Sequence, residues 1–154
     1  MKKILLFAAL IMVGGGAFAQ YAMQVSNMLG YSIEVKNPLG ENPGGVCSAI
    51  SGSFTTGAGG PTLSIPAGNT WSGSVGATYI NWGTGAAPGI IPTSIDVKID
   101  VFGCPTTFTS VPSISCGTTG EATIYCSGLG GGTTFYIFWP YGPTGIDIQV
   151  RTYP

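Results

Sequence analysis

The chain has 154 residues, 7% of them charged and 44% hydrophobic, with 26 glycines, 11 prolines, four cysteines and no histidine. Five basic and six acidic side chains are too few to carry nucleic-acid binding, which rests on Lys and Arg contacts to phosphate, and too few for an electrostatic hold on anionic lipid. Low charge here does not imply disorder, because disordered chains are charge-rich and poor in apolar residues; the polar surface must come from Ser, Thr, Asn and glycine backbone instead.

The first element is an export signal. Lys2 and Lys3 precede an apolar run from Ile4 to Val13, Gly14, Gly15 and Gly16 weaken any helix, and Ala17-Phe18-Ala19 offers small residues at the −3 and −1 positions. Residues 1–19 therefore read as a cleavable bacterial signal peptide cut between Ala19 and Gln20. The run is too short for a membrane span, which needs about 20 apolar residues. With no cysteine close behind the cut, a lipid-anchored N-terminus is not expected, and no later stretch is long and apolar enough to span a bilayer. Residues 20–154 are expected to form one domain, exported to the periplasm, secreted or held at the cell surface. The mature chain keeps Lys36, Lys98 and Arg151 against six carboxylates, a balance that repels itself weakly and favours association.

Alternation with period two then runs through nearly every segment, bounded by Gly, Pro or Asn, as expected of short half-buried strands. Tyr31, Ile33 and Val35 share one face, with Ser32, Glu34 and Lys36 on the other. Residues 37–45 read as a loop by their prolines and glycines. Strands are predicted at 46–55, 62–66, 70–75 and 77–82, with a turn at Pro66-Ala67-Gly68-Asn69. The clearest strand spans 94–102, where Ile95, Val97, Ile99 and Val101 alternate with Ser94, Asp96, Lys98 and Asp100. Further strands fit 106–111, 121–127, 133–139 and 146–153. No segment shows a helical period and no repeat has a fixed length. Eight to ten short strands with frequent turns predict an all-β, single-domain β-sandwich, an immunoglobulin-like or Greek-key/jelly-roll variant.

Cys47, Cys104, Cys116 and Cys126 all follow the signal. An even count in an exported chain reads as two disulfides, and a metal site would need close cysteine pairs with further Cys or His ligands. Gly117 to Gly120 resembles a hairpin turn that sets Cys116 opposite Glu121 and leaves Cys126 out of register. That geometry favours Cys104–Cys116 with Cys47–Cys126, and Cys47–Cys104 with Cys116–Cys126 stays open.

Catalytic chemistry has little to work with. Without histidine, Ser–His–Asp and Cys–His arrangements cannot form, and oxidised cysteines are not nucleophiles. Asp96 and Asp100 lie on one strand face about 13 Å apart at the backbone, beyond the roughly 5–9.5 Å that glycosidase carboxylates need. Asp96-x-Lys98-x-Asp100 reads better as a solvated charge ladder. No loop concentrates the oxygen ligands calcium needs, and neither Gly83-Thr84-Gly85 nor Gly130-Gly131-Gly132 has the strand–helix setting of a phosphate loop. No enzyme activity, metal or cofactor is expected.

Trp71 sits in an alternating strand and is expected in the core. Trp82, Trp139 and Tyr141 border loops, where rings with a polar edge suit sugar stacking or protein contact. The chain ends with an alternating strand and Thr152-Tyr153-Pro154, which is similar to the end of chaperone-assembled pilus subunits. That likeness covers about nine residues of the 154 and implies a sandwich completed by a neighbour's strand; the cysteine placement departs from that family's single disulfide near the mature N-terminus. The sequence thus points to an exported, non-enzymatic β-sandwich with a structural, adhesive or assembly role, its partner being itself, another surface protein or a glycan. The alternative is a carbohydrate- or ligand-binding module built on Trp82, Trp139 and Tyr141.

Overall fold

The structure, a computed structural model, describes residues 23–42, 44, 49–55, 62–72, 79–87, 90–112, 120–139, 141–142 and 145–152. The signal peptide expected at residues 1–19 with its cut between Ala19 and Gln20, Cys47, Cys116 and Tyr153-Pro154 lie outside them. The described chain is all β, in two six-stranded sheets stacked as a sandwich. In one sheet the order is β5 (Thr70–Ser72), β1 (Met23–Asn27), β12 (Gly145–Thr152), β10 (Thr133–Phe138) and β9 (Glu121–Cys126), with β11 (Tyr141–Gly142) also on β12. In the other it is β6 (Tyr79–Trp82), β3 (Ile50–Thr55), β2 (Ser32–Glu41), β7 (Ile91–Asp100) and β8 (Thr109–Pro112), with β4 (Leu63–Ile65) also on β2.

The period-two pattern is what closes the core. Val25, Ile124, Phe135, Ile137 and Val150 project from the first sheet onto Ile33, Val35, Ile65, Ile95, Val97, Ile99 and Val111 of the second, all at most 3% exposed. Intervening polar residues face outward, as a half-buried strand requires. β1 was not expected from the sequence. It carries Val25 and Asn27 into the interior, and it runs parallel to β12 from Met23↔Ile146 to Asn27↔Val150 and antiparallel to β5.

Residues 37–41 are not loop but the continuation of β2. The strand absorbs Pro38 at a bulge: its register against β7 shifts between Lys36 and Leu39 and again before Gly40, and Asn37 takes φ 48°, which Asn tolerates better than most residues. A bulge is where proline's missing N–H costs no ladder bond. The other edge of β2 is shared. β4 pairs with Ile33–Val35 and β3 with Leu39–Gly40, so the bulge lies at the gap between them.

Cysteine pairing also departs from expectation. Cys104, in the turn after β7, bonds Cys126, the last residue of β9, with Cα atoms 4.1 Å apart. β8 and β9 belong to different sheets, and the hairpin partner of β9 is β10; with Cys126 bonded to Cys104, neither residue is left for Cys116 or Cys47. Neither pairing favoured by the sequence holds. Beside the bond, Gly103 (φ 90°) and Gly128 touch through their backbones: a Cβ on Gly128 would sit 2.6 Å from Gly103 Cα, and one on Gly103 would overlap Gly128 Cα. Gly128 N donates to Gly103 O at 3.2 Å.

At the same end of the sandwich, Asn27 is 2% exposed and ties three segments together. Its Nδ2 donates to Tyr31 O at 2.8 Å and to Ile65 O and Pro66 O at 3.0 Å, while its Oδ1 accepts from Leu29 N at 3.1 Å. Replacing it strands buried carbonyls, each costing about 1–3 kcal/mol when unsatisfied. Asn27→Ala is expected to lower unfolding stability by about 2–4 kcal/mol, and Asn27→Asp by more, because a carboxylate would face three carbonyl oxygens. Equilibrium denaturation of the three proteins checks the order.

Candidate functional site

The aromatic residues proposed from the sequence do not make one surface. Trp139 follows β10 and is 1% exposed, a core residue whose backbone N–H donates to Gly120 O at 2.8 Å. Its alternation with Phe135 and Ile137 points it inward; the following proline had made it resemble a loop-tip ring. Trp82 ends β6 directly opposite Gly52 of β3. Its ring fills the space left by two missing side chains, since a Cβ would meet it at 2.7 Å from Gly52 and 2.9 Å from Gly40. Tyr141 pairs with Ile146 in β11, and its side chain lies outside the described residues. Both tryptophans therefore serve packing. Trp71 is half-buried with its ring edge-on to Phe54 at 5.1 Å and 86°, close to its expected place, although its buried Nε1 finds no partner among the described residues.

The charged residues gather on the outer face of the second sheet. Antiparallel pairing places Glu34 across from Lys98, Lys36 across from Asp96 and Ser32 across from Asp100. Lys98 Nζ reaches Glu34 at 2.7 Å, and Asn37 Nδ2 donates to Asp96 Oδ2 at 2.8 Å. Phe108 lies under both ammonium groups, its ring centroid 3.9 Å from Lys36 and 5.5 Å from Lys98, a cation–π arrangement. The Asp96-x-Lys98-x-Asp100 spacing thus forms a cross-strand polar ladder with a lysine between its acids. Glu41 is buried at the end of β2 and engaged there, and Glu121 is exposed at the start of β9.

Beside the bulge an open cleft of about 340 Å³ is lined by Asn37, Leu39, Ser51, Gly52 and Asp96. Among the described lining residues Asp96 is the one titratable group, and the Asn37 amide donates to it. Such a set can hydrogen-bond a polar group.

The most distinctive surface lies at the end held by the disulfide. Phe102 is 92% exposed, Met28 64% and Tyr31 39%. Met28 and Tyr31 lie in the turn between β1 and β2, next to the end of β7 through the pairing Ser32↔Asp100. Phe102 is at the tip of the turn fixed by Cys104–Cys126, by the contact of Gly103 with Gly128, and by Cys104 N donating to Val101 O at 3.2 Å. The sequence placed Phe102 inside the 94–102 strand, and only the glycine after it hinted at a turn. No family model, curated protein or solved structure matches the chain.

The Glu34 carboxylate hydrogen-bonded to Lys98 holds the ammonium pKa above the ordinary 10.5; burial opposes this, and the negative charges of Glu34 and Asp100 add to it. A raised lysine pKa gives stability that is complete below 10.5 and is lost as pH rises through the folded value. Glu34→Ala is expected to cost under about 1 kcal/mol at neutral pH, as for other surface pairs, and to flatten the loss of stability above pH 10.5 seen in the parent. Denaturation curves across the alkaline range test both effects.

Proposed function

We propose that this protein is an exported, non-enzymatic β-sandwich with a structural, adhesive or assembly role at or outside the bacterial cell surface. The observation that carries the reading is the braced turn presenting Phe102. A large apolar ring held in solvent by a disulfide, a backbone contact and a turn hydrogen bond is already ordered for contact, and pre-ordering lowers the entropic cost of binding. Met28 and Tyr31 enlarge the same apolar end. The other supports are the export signal, four cysteines in the mature chain and a surface with little charge to oppose association. The finer fold reading, an immunoglobulin-like or Greek-key sandwich, is supported by chain crossings between sheets from β1 to β2, β4 to β5, β5 to β6 and β8 to β9.

Expression of the full chain followed by cell fractionation is expected to place it in the exported fraction with residues 1–19 removed. Phe102→Ala is expected to leave stability within about 0.5 kcal/mol, as at other exposed positions, while reducing retention of the protein by the cell surface or by its assembled form. Cytoplasmic retention, or association unchanged by Phe102→Ala, argues against the reading.

A further inference from the structure

Among the described residues β5 and β9 end the strand path of one sheet and β6 and β8 that of the other, while the short β4 and β11 each pair on one side only. An exposed edge is a template for another strand, and proteins blunt it by shortening the strand or inserting Pro, Lys or a bulge. Among the described residues β5 spans three and β6 four, and β8 spans four with Pro112 as the last of them. β9 is different. It runs six residues, Glu121–Cys126, in unbroken register with β10 and contains no proline, lysine or bulge.

The ladder itself tells which groups of β9 face outward. Trp139 N donates to Gly120 O at 2.8 Å, which makes Gly120 and Trp139 a hydrogen-bonded pair in the same register as Glu121↔Phe138. Antiparallel pairs alternate, so Ala122, Ile124 and Cys126 spend their N–H and C=O groups on β10. Those of Glu121, Thr123 and Tyr125 point away from it. Among the described residues no strand takes them up.

We propose that β9 pairs antiparallel with β9 of a second copy about a twofold axis through Thr123, joining two sheets into one. Residues directly opposite in such a ladder must share a face. Glu121, Thr123 and Tyr125 are all exposed on the outer face, and the axis at Thr123 sets Thr123 against itself and Glu121 against Tyr125. All their outward backbone groups then pair. An axis at Glu121 would oppose two carboxylates, one at Tyr125 would carry the ladder into the turn at Ser127–Gly131, and one at Ala122 or Ile124 would leave one of the three outward-facing residues without a partner in β9, so the axis at Thr123 is the one that pairs all three. Like charges never meet, and a Thr–Thr pair is a favourable cross-strand neighbour. The edge is thus its own complement, the condition for a closed twofold interface. This inference goes beyond the role proposed above and stands apart from the Phe102 end, so a monomeric protein would overturn it and leave that role intact.

The test uses the oxidised mature chain, residues 20–154. Sedimentation or light scattering over a concentration series is expected to show a monomer–dimer equilibrium. Amide hydrogen exchange at Glu121, Thr123 and Tyr125 is expected to slow as the dimer forms, while Ala122 and Ile124, bonded to β10, are slow throughout. Thr123→Lys sets two ammonium groups across the axis and is expected to weaken the dimer about tenfold or more; Thr123→Pro, which removes an outward N–H but no bond to β10, is expected to abolish it. Thr70→Lys, exposed on β5 at the opposite edge, is expected to leave it unchanged. A monomer at every concentration overturns the proposal. So does a dimer in which exchange at Thr123 stays fast, a readout on the parent protein that holds even if a variant fails to fold. Pairing of β9 with a foreign extended peptide in place of a second copy overturns it equally.

Discussion

The arrangement turns on the contact between Gly103 and Gly128. Two turns from different sheets approach so closely that neither can carry a side chain, and the adjoining Cys104–Cys126 bond makes the approach covalent. Closing a loop of about 20 residues is worth about 3 kcal/mol through restriction of the unfolded chain. Its effect on geometry is larger. β7, central in one sheet, and β9, at the edge of the other, are fixed at one end, and the core between them is set by that separation. The same clamp displays Phe102 outside and holds β9 in line as an edge.

Asn27 does for the opposite side of that end what the disulfide does for the clamp side. β1 is held at its end by the amide that joins Tyr31, Ile65 and Pro66, together with Asn27 N donating to Asn69 O at 2.9 Å and Met28 N to Val150 O at 3.0 Å. A buried amide of this kind contributes by its complete set of partners more than by its net energy. It also fixes where the chain crosses from the first sheet to the second.

What could be read from the sequence followed from local alternation. The β7 core residues Ile95, Val97 and Ile99 and the first half of β2 were visible as period-two patterns, whereas Trp71, expected in the core, is half-buried with its ring against Phe54. β1 was not visible, because in Met23-Gln24-Val25-Ser26-Asn27 the inward position after Val25 is polar, and the burial of Asn27 depends on partners distant in sequence. The bulge at Asn37 looked like a loop because Pro38 and Gly40 break a regular ladder, and tertiary pairing with β7 overrides them. Trp139 looked like a loop ring because of the proline after it, though its parity with Ile137 pointed inward. The disulfide was unreadable for a different reason: it depends on which sheet each strand joins, and hairpin reasoning about neighbours in sequence cannot reach that. Of the surface, the charge ladder was visible from spacing alone, whereas the exposure of Phe102 and the unguarded edge of β9 required the topology.

The most direct test of the clamp is peptide mapping of the mature protein without reduction, with free thiols blocked before digestion. The structure requires a cross-linked peptide pair containing Cys104 and Cys126 that separates on reduction. Recovery of Cys104 linked to Cys116 or to Cys47, or of Cys104 and Cys126 as free thiols, would contradict the account.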